Sequence, residues 1–377
     1  MKNKIVKFDD VLKYEQPTKY IVKSENYNDE YQIPVLTAGK TFILGYTNEN
    51  EGVFNELPVI IFDDFTTAFH FVDFPFKVKS SAMKILKPVK EIADLKYLFY
   101  KMQTISIDND LHKRYWISIY SQLEIPLPPL PQQQKIANIL NAADALRQKD
   151  KALLAKYDEL TQALFLDMFG DPVSNPMGWE KVELKECTSK IGSGSTPRGG
   201  KETYLTEGIA LIRSLNIYDN EFKYKNLAFI NNEQAQKLKN VIVESKDVLF
   251  NITGASVCRC TIVPDDVLPA RVNQHVAILR PIQEKLCSSY LSHLLISDNI
   301  KIKLLGVGSA GGAIMEAITK EQLEKFEIIL PPIVLQNQFA DRVAVIEEQK
   351  AIAQKSLEKS EELFNSLLQK AFKGELV

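Results

Sequence analysis

Between residues 193 and 274 the chain carries side chains of the types that recognise polar edges. Ser193, Ser195, Thr196, Arg198 and Lys201 fall in one polar, glycine-containing run, followed by Arg213, Ser214 and Asn216, and then by Arg259, Arg271, Asn273 and Gln274. The arginine fork complements the N7/O6 edge of guanine, and Asn or Gln complements adenine, so loop-borne residues of this kind can read bases in a major groove. In the N-terminal third the comparable candidates are Lys19, Lys40, Lys77, Lys79 and Ser80.

Patterns that would make or break covalent bonds are missing. The four histidines (His70, His112, His275, His293) form no H-x-x-x-H or H-E-x-x-H arrangement, and no G-x-S-x-G elbow occurs. His275, within Val272–Leu279, alternates with apolar residues as a strand would, which points to a structural role. The run Gly194-Ser-Thr-Pro-Arg-Gly-Gly-Lys201 resembles a phosphate loop only superficially. Gly200 displaces the lysine, Glu202 follows it, and Pro197 removes an amide from the cradle. No G-x-G-x-x-G follows a strand, so a dinucleotide or adenosyl pocket is unsupported. Asp265-Asp266 follows Pro264 with no E-x-K beyond it and reads as a turn. Cys187, Cys258, Cys260 and Cys287 include one C-x-C pair, with no second pair and no histidine at metal-ligand spacing, and read as ordinary reduced thiols. The expectation is a chain with no catalytic site, cofactor or metal.

The elements that must position the recognition residues are announced by a duplication. Glu124 opens E-I-P-L-P-P-L-P-Q-Q-Q-K-I-A, and Glu327, 203 residues later, opens E-I-I-L-P-P-I-V-L-Q-N-Q-F-A. The offset holds for over forty residues, through Ala137/Ala340, Glu159-Leu160/Glu362-Leu363 and Phe169/Phe372. A period this long is a duplicated module, not a solenoid. Both copies predict long helices, Pro131–Phe169 and Leu335–Phe372. Ile136, Leu140, Ala143, Leu154, Tyr157, Leu164 and Met168 line the first. Phe339, Val343, Ile346, Ala353, Leu357, Phe364, Leu367 and Ala371 line the second at coiled-coil spacing. Arg147 and Asp150 interrupt one stripe, Lys350 and Ser360 the other. Such stripes are most simply buried against each other; the alternative is that each helix covers only its own globular head. Nearly forty residues would make a rod on the order of 55–60 Å.

The regions before the helices repeat more loosely. Ile85-Leu-Lys-Pro88 matches Ile278-Leu-Arg-Pro281 at an offset of 193, and Ile60-Ile-Phe-Asp63 matches Val248-Leu-Phe-Asn251 at 188. Val59–Phe62, Phe69–Val72 and Asp247–Phe250 read as strands, Thr37–Lys40 and Thr47-Asn48 as turns, and Ile191–Pro197 as a turn-rich run. The heads therefore share a fold and differ in loops. With 377 residues, 45% hydrophobic and 25% charged, the chain is ordinary for two globular domains. Its net charge of −2 argues against coating nucleic acid by bulk charge but permits a local basic cleft. No apolar run of membrane-spanning or signal-peptide length appears, so a cytoplasmic location is expected.

Several of these residues together resemble the DNA-specificity (S) subunit of type I restriction–modification systems. Trp179-Glu-Lys-Val-Glu-Leu184 followed by Ile191-Gly-Ser-Gly-Ser-Thr-Pro197 is similar to the opening of that family's target-recognition domains. Leu127-Pro-Pro129 with Gln132-Gln-Gln134, and Leu330-Pro-Pro332 before its own glutamine-bearing helix, resemble the entries to its helical spacers. Lys370-Ala-Phe-Lys-Gly-Glu-Leu376 resembles the end of the second spacer. The first head departs from this pattern, with Val6-Lys-Phe-Asp-Asp-Val-Leu12 and Gln16-Pro-Thr-Lys-Tyr20 instead, so loop roles do not transfer between heads. The resemblance implies an α+β protein of two target-recognition domains (1–130 and 174–330) and two long antiparallel coiled-coil helical spacers (131–173 and 331–377). It implies a non-catalytic subunit that reads a bipartite site in double-stranded DNA. Its partners would be two modification subunits that bind S-adenosylmethionine and methylate adenine, and restriction (motor-nuclease) subunits. A stand-alone DNA-modifying enzyme and a coiled-coil scaffold without a DNA role are the alternative readings.

Overall fold

The structure, a computed structural model, describes residues 4–37, 41–107, 114–197, 199–309 and 317–376. The chain divides into two compact units, one of Met1–Ala152 with Gln354–Val377 and one of Leu153–Ala353.

In the first unit β1 (Lys4–Lys7) pairs with β9 (Glu124–Leu127). A four-stranded sheet runs β2 (Leu12–Glu15), β8 (Met83–Pro88), β5 (Val59–Asp63), β6 (Phe69–Val72). A smaller sheet runs β4 (Ile43–Thr47), β3 (Ile33–Leu36), β7 (Lys77–Val78). β5 is buried along its whole length. Its continuous Val-Ile-Ile-Phe run is the signature of a strand covered on both faces. Ile60 and Phe62 face one core, with Leu98, Tyr100 and Trp116, whereas Val59 and Ile61 face another, with Leu36, Phe54 and Phe76. The expected Thr47-Asn48 turn is shifted, because Thr47 completes β4 and is buried.

The second unit repeats this plan. β10 (Lys181–Glu183) pairs with β21 (Glu327–Ile329). The main sheet runs β11 (Thr188–Ser193), β20 (Val276–Pro281), β17 (Val248–Asn251), β18 (Cys260–Ile262). In the second sheet β12 (Ile209–Ile212) lies between antiparallel β15 (Ala228–Ile230) and parallel β19 (Ala270–Val272), as β3 lies between β4 and β7. Here the smaller sheet gains β16 (Ile242–Val243) and a hairpin of β13 (Ile217–Tyr218) and β14 (Glu221–Phe222) is inserted. β17 again splits its side chains, Val248 and Phe250 to one core and Leu249 to the other. Two of the expectations change. Ile191–Ser193 belongs to β11, so only the rest of the glycine-rich run is loop. Val272–Leu279 is two strands joined by a turn at Asn273–His275, so His275 sits at a corner.

After α1 (Leu95–Gln103) come the long helix α2 (Leu130–Phe169), α3 (Ser288–Ile296) and the second long helix α4 (Ile333–Lys373). Within each unit, part of α2 packs antiparallel on part of α4. In the first unit the Arg147 guanidinium lies 4.2 Å over the Phe364 ring, Ser356 Oγ donates to Asp150 at 3.2 Å, and Lys151 pairs with Glu361 at 3.1 Å. In the second, Phe165 and Phe169 pack edge-on against Phe339 at 5.6 and 5.4 Å, and Lys350 donates to Asp158 at 2.5 Å. Stripe and head core are one cluster. Ile136, Leu140, Ala143, Phe364 and Ala371 join Tyr97 and Tyr100, while Phe165, Met168, Phe339 and Val343 join Tyr290 and Leu291. Thus both expected ways of burying the stripes operate within a unit.

The two heads are fastened to the helices by the same device. Gln133, wholly buried, accepts from Asp94 N at 2.9 Å and donates to the Ile92 and Pro128 carbonyls at 2.9 and 2.8 Å. Gln336, also wholly buried, accepts from Cys287 N at 2.8 Å and donates to the Lys285 and Pro331 carbonyls at 3.1 and 2.7 Å. The glutamines and prolines are 203 apart and the head partners 193 apart, so this lock spans the change in offset between head and helix. Tyr97 and Tyr290 repeat the pattern, donating to Pro126 O and Ile329 O.

Candidate nucleic-acid interface

In the second unit three segments far apart in sequence meet beyond the ends of the sheet strands: the loop after β11, the loop after β17, and the β19–β20 turn. Gly194 makes the meeting possible. Its N–H donates to Asn273 O at 3.1 Å, and a Cβ there would lie only 1.8 Å from Val272 O. Asn273 N in turn donates to Ile212 O, and Ile252 N to His275 O, tying the turn to its neighbours. Buried Asn251 closes the β17 side, its amide donating to Ser214 O at 3.0 Å and to Ser256 Oγ at 3.2 Å.

On this scaffold lies a chain of polar side chains. The Thr196 hydroxyl bonds Gln274 Oε1, Gln274 Nε2 meets His275 Nε2 at 3.1 Å, and His275 Nδ1 meets Thr253 Oγ1 at 2.6 Å. Gln274 and Thr196 are exposed, and Ser195 beside them is exposed too. Arg259, at the end of the loop after β17, holds its guanidinium 4.5 Å from the ring of Tyr218 on the inserted hairpin, with Lys223 Nζ 5.5 Å from the same ring. The Arg213 guanidinium lies 5.1 Å from the Tyr204 ring and donates to Asn226 O at 2.5 Å. Aromatic rings hold these cations while leaving charge at the surface. Ser193, at the end of β11, lines an open polar cleft of about 600 Å³ with Lys185, Lys190, Asn240 and Lys320. Burial holds the Lys190 ammonium below its ordinary range.

Three expected contact residues of the second unit are spent inside the protein. Asn216 is wholly buried, with its side chain accepting from Arg213 N at 3.1 Å and donating to Lys223 O at 2.8 Å, which shapes the turn before β13. Arg271 is 8% exposed and donates to Ala235 O and Ala270 O. Asn273 is buried too, accepting from His275 N at 3.1 Å, and acts as the turn's brace. Arg198 and Lys40 lie outside the described residues, and of Lys201 only the backbone, in the 3-10 turn Gly200–Thr203, is described. Lys79 of the first unit is bound to Glu25, an exposed ion pair that raises its pKa. Thr253, His275, Lys190 and Lys320 join this surface without standing out in the sequence as contact candidates. The one local signal for His275 was the Asn-Gln-His triplet interrupting an apolar strand.

The described residues hold no group of three or more His, Cys, Asp or Glu placed for a metal ion, and no helix of the described residues is long and apolar enough to cross a membrane. Residues 2–156 and 176–362 each match the family described as type I restriction modification DNA specificity domain. The chain is 33% identical over 345 residues to the type I restriction enzyme EcoR124I/EcoR124II specificity subunit of Escherichia coli, covering 86% of this chain and 81% of the relative. It is 23% identical to the MjaVIII specificity subunit of Methanocaldococcus jannaschii, over 99% and 92% of the two chains. The crystal structure of the S subunit from M. genitalium superimposes with a TM-score of 0.61 at 14% identity, covering 98% of this chain and 96% of that one. A chain from a study of assembly and conformational transition of the type I R-M system gives 0.52 at 20% identity, over 100% and 98%. With two matched specificity domains and a relative one-third identical across most of both lengths, the chain belongs to the family of type I restriction–modification DNA-specificity subunits.

Proposed function

We propose that the two units each read one half of a bipartite site in double-stranded DNA, and that the chain directs adenine methylation and restriction by partner subunits without itself catalysing either. Target-recognition domains at 1–130 and 174–330, with helical spacers at 131–173 and 331–377, are the working division. The observation that carries this reading is the repeated lock of Gln133 and Gln336. One head topology is fastened twice to one helical module by the same three hydrogen bonds. The loops differ where the scaffold does not, which suits two readers of different bases. Two modification subunits and motor-nuclease subunits are the proposed partners. A net charge of −2 fits a chain that supplies base contacts while partners supply much of the phosphate contact.

The helical spacers would then set the number of unspecified base pairs between half-sites, as dimer geometry does elsewhere. Inserting four residues into one long helix adds roughly 6 Å, just under two base-pair steps. Mapping methylated adenines in cells carrying the insertion should show the spacer changed and the bases of each half-site kept. An unchanged spacer overturns the reading, as does turnover by the purified chain alone with DNA, Mg²⁺ and S-adenosylmethionine.

A further inference from the structure

We propose that Gln274 is the residue with which the second unit reads an adenine, and that Thr196, His275 and Thr253 are positioning residues that hold its amide ready. The proposal rests on the DNA-specificity reading above and names the chemistry of one contact within it. A glutamine amide offers two acceptor lone pairs and two donor hydrogens. Thr196 takes up one position at the oxygen end and His275 one at the nitrogen end. Among the described residues no further partner takes the amide, so one acceptor and one donor remain on an exposed side chain, the combination that the N6 and N7 atoms of adenine complement in the major groove. Exchanging the amide oxygen and nitrogen leaves the same remainder, so the inference does not depend on that assignment.

The rest of the network explains why this glutamine stands still. His275 is anchored at its other nitrogen by Thr253 Oγ1, and its backbone N–H by Asn273 Oδ1. With Gln274 donating, the ring carries its proton on Nδ1 and donates to Thr253. Thr196 comes from the loop that Gly194 presses against the turn. An exposed glutamine ordinarily gives up rotamer freedom when it binds; one already clamped from both sides has given it up beforehand.

The test uses the chain assembled with its modification subunits and a duplex bearing the mapped site. Each adenine of the half-site read by the second unit is replaced in turn by 7-deazaadenine, which lacks the N7 acceptor. The wild-type complex should lose affinity at one position, by roughly 5- to 150-fold. Gln274→Ala should bind the unmodified duplex correspondingly more weakly and be indifferent to the substitution at that position. Thr196→Val, which keeps shape and removes the hydroxyl, should show a smaller loss confined to the same base pair. Equal losses in wild type and Gln274→Ala at every adenine overturn the proposal while leaving the specificity role intact. A Gln274→Ala methylation map that relaxes at a G·C pair, or nowhere, overturns it also. If instead the wild-type assembly methylates without dependence on this chain, the underlying specificity reading fails.

Discussion

Gly192 and Gly194 stand two residues apart in the same glycine-serine run, and they should respond to alanine in opposite ways. At Gly192 a Cβ meets nothing within 4 Å, whereas at Gly194 it would sit 1.8 Å from the Val272 carbonyl oxygen and 2.8 Å from its carbon. Both groups in the second case are backbone, so no rotamer change relieves the contact, and the β11 loop and β19 must part by roughly an ångström or more. That displacement breaks the Gly194 N to Asn273 O bond and draws Thr196 away from Gln274. Overpacking of this kind costs about 1–3 kcal/mol. For a unit of this size that lowers the melting temperature by roughly 2–12 °C. Gly192→Ala should be neutral or slightly stabilising, by up to about 1 kcal/mol, because it restricts only the unfolded chain. Urea unfolding of the two variants, with hydrogen exchange at Asn273–Val276 as a local readout, makes the comparison. Equal stability of both variants, or unchanged exchange in Gly194→Ala, refutes the claim that this glycine holds the β11 loop against the β19–β20 turn.

Gln133→Ala and Gln336→Ala each leave a buried N–H and two carbonyls without their partner and should cost about 2–5 kcal/mol apiece, measured by denaturant unfolding; a loss at only one site would break the equivalence of the two locks. Burial pushes the Cys187 thiol up to about 11 and Cys260 up to about 12, and Cys258 is buried as well. Under native conditions near pH 8, a thiol reagent should therefore modify Cys287 first, with the other three reacting only on unfolding. His293 is held below the ordinary histidine value of 6.5, chiefly by burial, with Lys350 adding to the effect and the Ser289 carbonyl opposing it. The unfolded chain takes up this proton more readily than the folded one. Stability should thus be flat above about pH 6.5 and fall as pH drops through the folded value. His293→Phe should remove that part of the pH dependence of thermal unfolding; an identical pH profile in the variant would show that the ring does not contribute.

The extent of the two long helices is legible in the sequence, because their stripes recur every three or four residues and because the offset of 203 persists through both. Pro131–Phe169 and Leu335–Phe372 became Leu130–Phe169 and Ile333–Lys373. The strands expected at Val59–Phe62 and Asp247–Phe250 are Val59–Asp63 and Val248–Asn251, since burial on both faces leaves a local mark in a continuous apolar run. The weaker echoes at offsets of 188 and 193 corresponded to strands in the same sheet positions of the two units. His275 sits at a corner and not within a strand, because alternation alone does not distinguish one strand from two strands meeting at a turn.

Repetition and periodicity, then, determined from sequence alone that the chain is one head-and-helix module used twice, since both are properties of neighbours along the chain. Which polar residues remain available was decided only in three dimensions. Asn216, Arg271 and Gln274 are indistinguishable as polar residues along the chain, yet the first two are consumed by carbonyls at Lys223 and Ala235. Gln274 is instead held outward by Thr196 and His275. The physical reason is that a hydrogen-bonding group is free or spent according to what folds against it. For Arg271 and for Gln274 those partners include groups 36 and 78 residues away.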